Sequence, residues 1–328
     1  MACHGFAEVV VWGESLSVFD PASGSAASIR DLFFLVLGIT GAIFVVFEGV
    51  LLYCILRFRK SRESDATEPP QLYGSMPVEL AWTIAPLVIC FVLFLVVART
   101  VIATREEEPP PGAVRVIAVG HQWWWEFRYP DLGIVTANEL HVPLGNAENR
   151  RPVYIELQSA DVIHSFWVPR LGGKTDLIPG RKNTMWFEPS AAGVFLGQCA
   201  EYCGTQHANM LLRVTVESPE DFDRWAADQK KPGSQEEQVK ADRDLFLSQA
   251  CMNCHTIAGT TAKGKFGPDL THLMSRQTIG SGVAPNDHEN LKKWVYDAPS
   301  LKPGCKMPSL HLSEAEVERI VRYLETLK

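Results

Sequence analysis

Two apolar runs constrain this chain more than anything else in it. Residues 29–56 read IRDLFFLVLGITGAIFVVFEGVLLYCIL, and residues 78–102 read VELAWTIAPLVICFVLFLVVARTVI. Each exceeds the roughly 20 residues a helix needs to cross a bilayer core. Buried helices of a soluble protein are the alternative, but two runs this long are hard to bury otherwise. Between them lie Arg57, Arg59, Lys60 and Arg62, which makes that short loop cytoplasmic. The N-terminus and everything after about residue 103 then lie on the extracytoplasmic side. Residues 1–105 are thus read as an N-terminal segment plus a transmembrane α-helical hairpin, a two-pass anchor in a membrane with lipid around it.

Carboxylates are costly inside a membrane and are read as functional by default. Glu79 opens the second run, where the helix dipole offers a plain structural reason for it. Glu48 sits inside the first run and is expected to face a partner protein. The first 28 residues hold Cys3 but no long apolar stretch of the signal-peptide kind, so Cys3 is at most the remnant of a lipid-modified start.

EEEPPPG at 106–112 is a charged, proline-rich break. Short runs of alternating β-branched and aromatic residues follow, among them VRVIAVGHQWWWEF, RPVYIELQSADVIHSFWVP and GVFLGQC. They predict a small all-β sandwich or barrel, antiparallel, over residues 112–220. Residues 221–241 are polar and read as a helix plus linker, and 242–328 as an all-α third domain with Gly/Pro-rich loops. The net charge of −7, with no basic stripe, argues against nucleic acid as a partner. Of the eight cysteines, four form two close pairs, which suits metal or haem sites better than a disulfide framework.

The first pair lies in CAEYCGTQHANM, which offers Cys199, Cys203, His207 and Met210; DVIHSFW upstream adds His164. These soft and borderline ligands favour copper or zinc. A Cys2His2 zinc site leaves Met210 surplus. A mononuclear blue-copper site leaves one thiolate surplus. A disulfide leaves the histidines and methionine unexplained. Two bridging thiolates can hold two copper ions, with one histidine on each, and that is the expectation, with zinc and a disulfide as the alternatives.

His164 followed by Cys199-x-Glu201-x-Cys203-x-x-x-His207-x-x-Met210 resembles the dinuclear CuA site of cytochrome c oxidase subunit II. GHQWWWEF at 120–127 and LGGKTDLIPG at 171–180 are similar too, and the resemblance covers about residues 25–220. It implies a cupredoxin barrel. It also implies His164 and Met210 on one copper, with His207 and the Glu201 carbonyl on the other. The Glu201 carboxylate would face a magnesium shared with subunit I. Trp123 corresponds to an exposed tryptophan through which electrons enter, its alternative being a packed barrel aromatic. Glu79, three residues before Trp82, matches a carboxylate at a proton-channel mouth.

The second pair lies in Cys251-Met-Asn-Cys254-His255, the attachment signature of c-type haem, in which both thiols bond to the haem and His255 ligates iron. FGPDL at 266–270 resembles the loop that class I cytochromes c place against that histidine. KPGCKMP at 302–308 offers Met307 as the second ligand, ahead of Met274 and His272. A His/Met pair suits electron transfer at raised potential. Cys305 is read as a small loop residue. Together the parts resemble a caa-type subunit II with a cytochrome c domain at its C-terminus. That implies a relay from haem through copper to subunit I, where oxygen is reduced and protons are pumped. It also implies subunit III as a neighbour, and a bc-type complex or another cytochrome as donor. The rivals are an electron-transfer subunit of another respiratory reductase and a copper-binding membrane protein with no oxidase role.

Overall fold

The computed structural model describes residues 16–59, 71–105, 108–146 and 149–328. Cys3, Lys60, Arg62, Glu106 and Glu107 lie outside the described residues. The chain divides into a unit of residues 27–105 and a larger unit that joins the N-terminal residues to 106–328.

The smaller unit is built on α1 (Gly24–Arg57) and α2 (Met76–Thr104). Both outrun the apolar stretches that predict them. Small helix-compatible residues at 24–28 extend α1, and Pro77 fits the first turn of α2, where its missing N–H costs nothing. Glu79 lies in that first turn, where its carboxylate accepts the Ser75 N–H at 3.1 Å. None of the most apolar window of either helix is buried within the chain, as expected of helices covered by lipid or by other subunits. Glu48 is exposed on α1. The chain is a two-pass membrane protein by these helices.

The larger unit holds two cores. The first is all-β. Its strands are β1 (Val114–His121), β2 (Trp124–Tyr129), β3 (Ile134–Ala137), β4 (Glu139–Pro143), β5 (Val153–Ser159), β6 (His164–Trp167), β7 (Thr175–Leu177), β8 (Asn183–Phe187), β9 (Gly193–Cys199) and β10 (Leu211–Glu217). They form two five-stranded sheets, ordered β3-β2-β1-β5-β8 and β4-β10-β9-β6-β7. Alternate side chains of each strand enter the space between the sheets, as the two-residue period requires. Trp125, Phe127, Leu140, Ile155, Phe166 and Phe187 are all fully buried there. Pairing is not purely antiparallel, as the alternation had suggested, because β1 runs parallel to β5 and β4 parallel to β10. Alternation reports a half-buried strand and is blind to its partner's direction. The chain changes sheets between β3 and β4 at Asn138, whose φ of 65° is the left-handed conformation asparagine tolerates. α3 (Pro219–Asp228) then packs Phe222 and Ala226 into this same core, so the helix expected at the start of 221–241 is docked on the β domain.

The second core gathers α4 (Lys240–Ser248), the single turn α5 (Cys251–Cys254), a two-residue ladder of β11 (Thr278–Ile279) and β12 (Ala284–Pro285), α6 (His288–Leu301) and α7 (Glu314–Leu324). α7 begins with a reciprocal capping box between Ser313 and Glu316. The two cores are hydrogen-bonded together. The Glu139 carboxylate accepts the N–H groups of Gln277 and Thr278 at 2.9 to 3.0 Å. Leu211 and Ser281 exchange two bonds, Leu211 N–H to the Ser281 carbonyl at 3.1 Å and Ser281 Oγ to the Leu211 carbonyl at 2.7 Å.

Candidate metal centres

Three neighbouring strands assemble the first site. The β6–β9 ladder sets Phe166 opposite Cys199, which brings His164, at the start of β6, alongside the end of β9. β9 and β10 pair antiparallel, and the Cys199 N–H donates to the Met210 carbonyl at 3.0 Å. That bond closes the loop 200–209 and fixes the ligands at both of its ends. Gly120 lets the imidazole in from the other sheet, since a Cβ there would meet His164 Cδ2 at 2.7 Å.

The donor atoms converge. The Cys199 and Cys203 sulfurs are 3.8 Å apart. A disulfide needs about 2 Å, so both are free thiols, and that alternative fails. His164 Nδ1 is 3.9 Å from Cys199 Sγ, and the Glu201 carbonyl accepts from the same thiol at 3.2 Å. His207 Nδ1 is 3.6 Å and Met210 Sδ 3.9 Å from Cys203 Sγ. His164, Cys199, Cys203 and Met210 are all buried, His207 is half-buried, and the Glu201 side chain is exposed. Two thiols, two imidazoles, a thioether and a carbonyl in one pocket fit two thiolate-bridged copper ions. A single tetrahedral zinc would leave the thioether and the carbonyl without a role. The hydrogen bond between the two sulfurs lowers the pKa of Cys199 and raises that of Cys203, and a bound cation favours the thiolate form of both.

Asp161 went unnoticed in the sequence. Its Oδ1 sits 2.9 Å from His164 Nε2, and its two oxygens also accept the N–H groups of Val162 and Gln122 at 2.8 and 2.7 Å. Burial would raise its pKa, but these bonds outweigh burial and hold the carboxyl well below the usual aspartate range. The imidazole proton is thereby held on Nε2, leaving Nδ1 as the ligating nitrogen. The available signal was a carboxylate three residues before a metal-binding histidine.

Cys251, Cys254, His255 and Met307 line one cavity of about 480 Å³, with Phe246, Leu291 and Ile320 among its apolar walls. His255 Nδ1 donates to the Pro268 carbonyl at 2.8 Å, which turns Nε2 away from that bond. Burial pushes its pKa down, favouring the neutral, ligating form. Gly267 packs against this ring so closely that a Cβ would meet His255 Cε1 at 2.6 Å. Paired thiols, an oriented imidazole and a thioether on an apolar cavity fit a covalently held haem. The runners-up fare worse. His272 has both ring nitrogens engaged, by the carbonyls of Lys328 and Lys231 at 2.6 and 3.1 Å, and Met274 packs in the second core. Cys305 sits in the loop with its thiol 3.5 Å from the Met307 carbonyl.

Trp123 differs from expectation. It is half-buried where an exposed ring was expected, because its side chain packs against the β core. Its indole Nε1–H donates to the Cys203 carbonyl at 3.0 Å, and the same residue lines the haem cavity. Glu79 belongs to the other unit, where its carboxylate accepts the Ser75 N–H.

Three family models match the chain: "Cytochrome C oxidase subunit II, transmembrane domain" over residues 12–98, "Cytochrome C oxidase subunit II, periplasmic domain" over 142–217, and "Cytochrome c" over 240–328. Cytochrome c oxidase subunit 2 of Alkalihalophilus pseudofirmus is 32% identical over 322 residues, 96% of this chain and 92% of that protein. The Bacillus subtilis protein of the same name is 32% identical over 299 residues, 85% of this chain and 82% of its own. Among solved structures, the periplasmic domain of cytochrome oxidase subunit II from Bradyrhizobium japonicum matches 38% of this chain and 97% of its own length, at 32% identity and a TM-score of 0.35.

Proposed function

We propose that this chain, which belongs to the cytochrome c oxidase subunit II family, takes electrons onto a haem held by Cys251, Cys254, His255 and Met307. It passes them through Trp123 to a copper pair held by His164, Cys199, Glu201, Cys203, His207 and Met210. The chain is a subunit of a haem–copper oxidoreductase with a CuA domain, a cytochrome c domain and subunit I as its partner. When bound, haem and copper supply reversible one-electron transfer.

The protein's own part is positioning. Asp161 keeps His164 in the ligating tautomer, the Pro268 carbonyl does the same for His255, and the β9–β10 ladder fixes the copper loop. One observation carries the route. Trp123 donates its indole N–H to the Cys203 carbonyl at 3.0 Å and is also among the residues bordering the haem cavity, so this one residue reaches both sites.

The reading extends further. The Glu201 carboxylate, exposed beside the copper loop, offers a ligand to a magnesium shared with subunit I. Glu79 opens onto a proton path of subunit I. Subunit III, and a bc-type complex or another cytochrome as donor, complete the assembly. The membrane is a bacterial cell membrane, with the N-terminus and the residues after about 103 outside the cytoplasm, as the basic residues between the helices imply. The functional parts are the segment 1–105, the copper domain 112–220, the connection 221–241 and the haem domain 242–328. Replacing Trp123 by Phe, which removes the N–H donor and part of the ring, slows electron arrival at copper while copper content stays at the wild-type level. Unchanged turnover and unchanged transfer rate would reject the role.

A further inference from the structure

Lys302 is a lysine with almost no contact with water, at 3% exposure. Its Nζ donates to three backbone carbonyls, those of Trp123 at 2.8 Å, Asn209 at 2.8 Å and Gly280 at 2.7 Å. Three acceptors match the three N–H donors of an ammonium one for one. Burial pulls this ammonium down to about 7, and the three carbonyls favour its protonated form. A buried cation survives only when it is fully paired.

The three carbonyls come from three places that matter. Trp123 lies between the two sites, Asn209 immediately precedes Met210 in the copper loop, and Gly280 follows β11 in the haem domain. Lys302 itself opens the loop that carries Met307. Neighbouring contacts repeat the connection. Gln206 Nε2 donates to the Pro303 carbonyl at 2.6 Å, and Lys306 Nζ is 3.5 Å from the Asp161 carboxylate that orients His164. The methionine loop is therefore tied to the copper loop at its Lys302 end and to Asp161, the partner of His164, at its Lys306 end. The Glu139 contacts hold the two domains together elsewhere and do not depend on it.

We propose that Lys302 is a positioning residue for electron transfer: its ammonium, shared by the carbonyls of Trp123, Asn209 and Gly280, seats the Met307 loop on the copper loop and Trp123. The haem domain then delivers electrons from one fixed geometry, with no search by a tethered donor. This rests on the haem-to-copper reading above. Small misplacements cost rate steeply when two centres must be held in register.

The test is Lys302→Met in the full-length chain in detergent or nanodiscs, which keeps the side-chain bulk and removes all three donors. Hydrogen exchange at the amides of residues 304–307 and 207–211 should quicken by about tenfold. Haem-to-copper transfer after a flash should slow by about tenfold, with both reduction potentials and both metal contents unchanged. Unchanged exchange and rate overturn the proposal. So does a slowing fully explained by a shifted potential, which would make Lys302 an electrostatic tuner. If Lys302→Met does not assemble both centres, Lys302→Gln decides, since its amide can serve only part of the carbonyl set. An intermediate change supports the proposal, and none overturns it. If the wild-type chain itself shows no haem-to-copper transfer, the functional reading fails, and the exchange measurement still decides whether Lys302 seats the loop.

Discussion

Replacing Asp161 by Asn perturbs the copper site without touching a copper ligand. The carboxylate accepts three hydrogen bonds in the structure, from His164 Nε2 and the N–H groups of Gln122 and Val162, and lies 3.5 Å from Lys306 Nζ. The amide keeps one acceptor oxygen and turns an NH2 toward a partner that is itself a donor. At least one charge-assisted bond is lost, worth about 2 kcal/mol. His164 also loses the partner that holds its proton on Nε2, so the wrong tautomer becomes populated. If the whole loss falls on the metal-bound state, copper affinity drops about thirtyfold, since each 1.4 kcal/mol is about tenfold. That lies within the range of about 10- to 100-fold seen when such supporting partners of metal ligands are replaced. Copper titration of the metal-free chain against a competing chelator measures it, with circular dichroism confirming that the fold is kept. An affinity within about twofold of wild type, in a folded protein, would refute the argument that Asp161 sets the tautomer of His164.

Other sites give independent expectations. Gly267→Ala places a methyl 2.6 Å from the His255 ring, which the Pro268 bond prevents from yielding; the haem domain should lose about 1 to 3 kcal/mol of stability in thermal melts, with the haem thioethers still formed. The Arg322 and Arg319 hydrogen bonds hold the Asp242 carboxyl below its ordinary value, so they stabilise the fold above about pH 3.9 and are lost as pH falls through the depressed folded value. Asp242→Asn should therefore lower the melting temperature at pH 7, and the gap from wild type should close in acid; a gap that does not depend on pH would contradict this. Glu79→Gln keeps an acceptor for the Ser75 N–H, so helix content should hold while proton uptake in the assembled oxidase slows. Normal uptake would reject the channel-mouth role and leave Glu79 as a helix-capping residue.

What the sequence made legible follows from which forces act locally. Membrane helices announce themselves because every residue of the run must tolerate lipid, and α1 and α2 overlap the two apolar runs. Strand alternation likewise placed β1 on VRVIAVGH and β9 on GVFLGQC. The paired cysteines and nearby histidines lie within a few residues of one another, so their spacing alone suggested shared sites. Contacts between distant segments left no such trace. Nothing near Lys302 in sequence points to Trp123 or Asn209, 179 and 93 residues away. Glu139 looked like one more strand residue until its carboxylate met the Gln277 and Thr278 amides. Trp123 sits in the turn between β1 and β2, half-buried against the β core, and its carbonyl meets Lys302 from far along the chain. The parallel pairs β1–β5 and β4–β10 were hidden for the same reason, since pairing direction is set by how the chain crosses between sheets.

In the proposed relay one chain holds both redox centres and passes electrons between them. Flash reduction of the haem in the purified full-length chain, followed at the copper absorption, tests it most directly, after metal analysis and electron paramagnetic resonance on the same sample. The expected result is two copper ions per chain sharing one unpaired electron equally, one covalently bound haem, and reoxidation of that haem in step with copper reduction at a rate independent of protein concentration. A single zinc in place of copper, no covalent haem, or transfer that rises with protein concentration would contradict it.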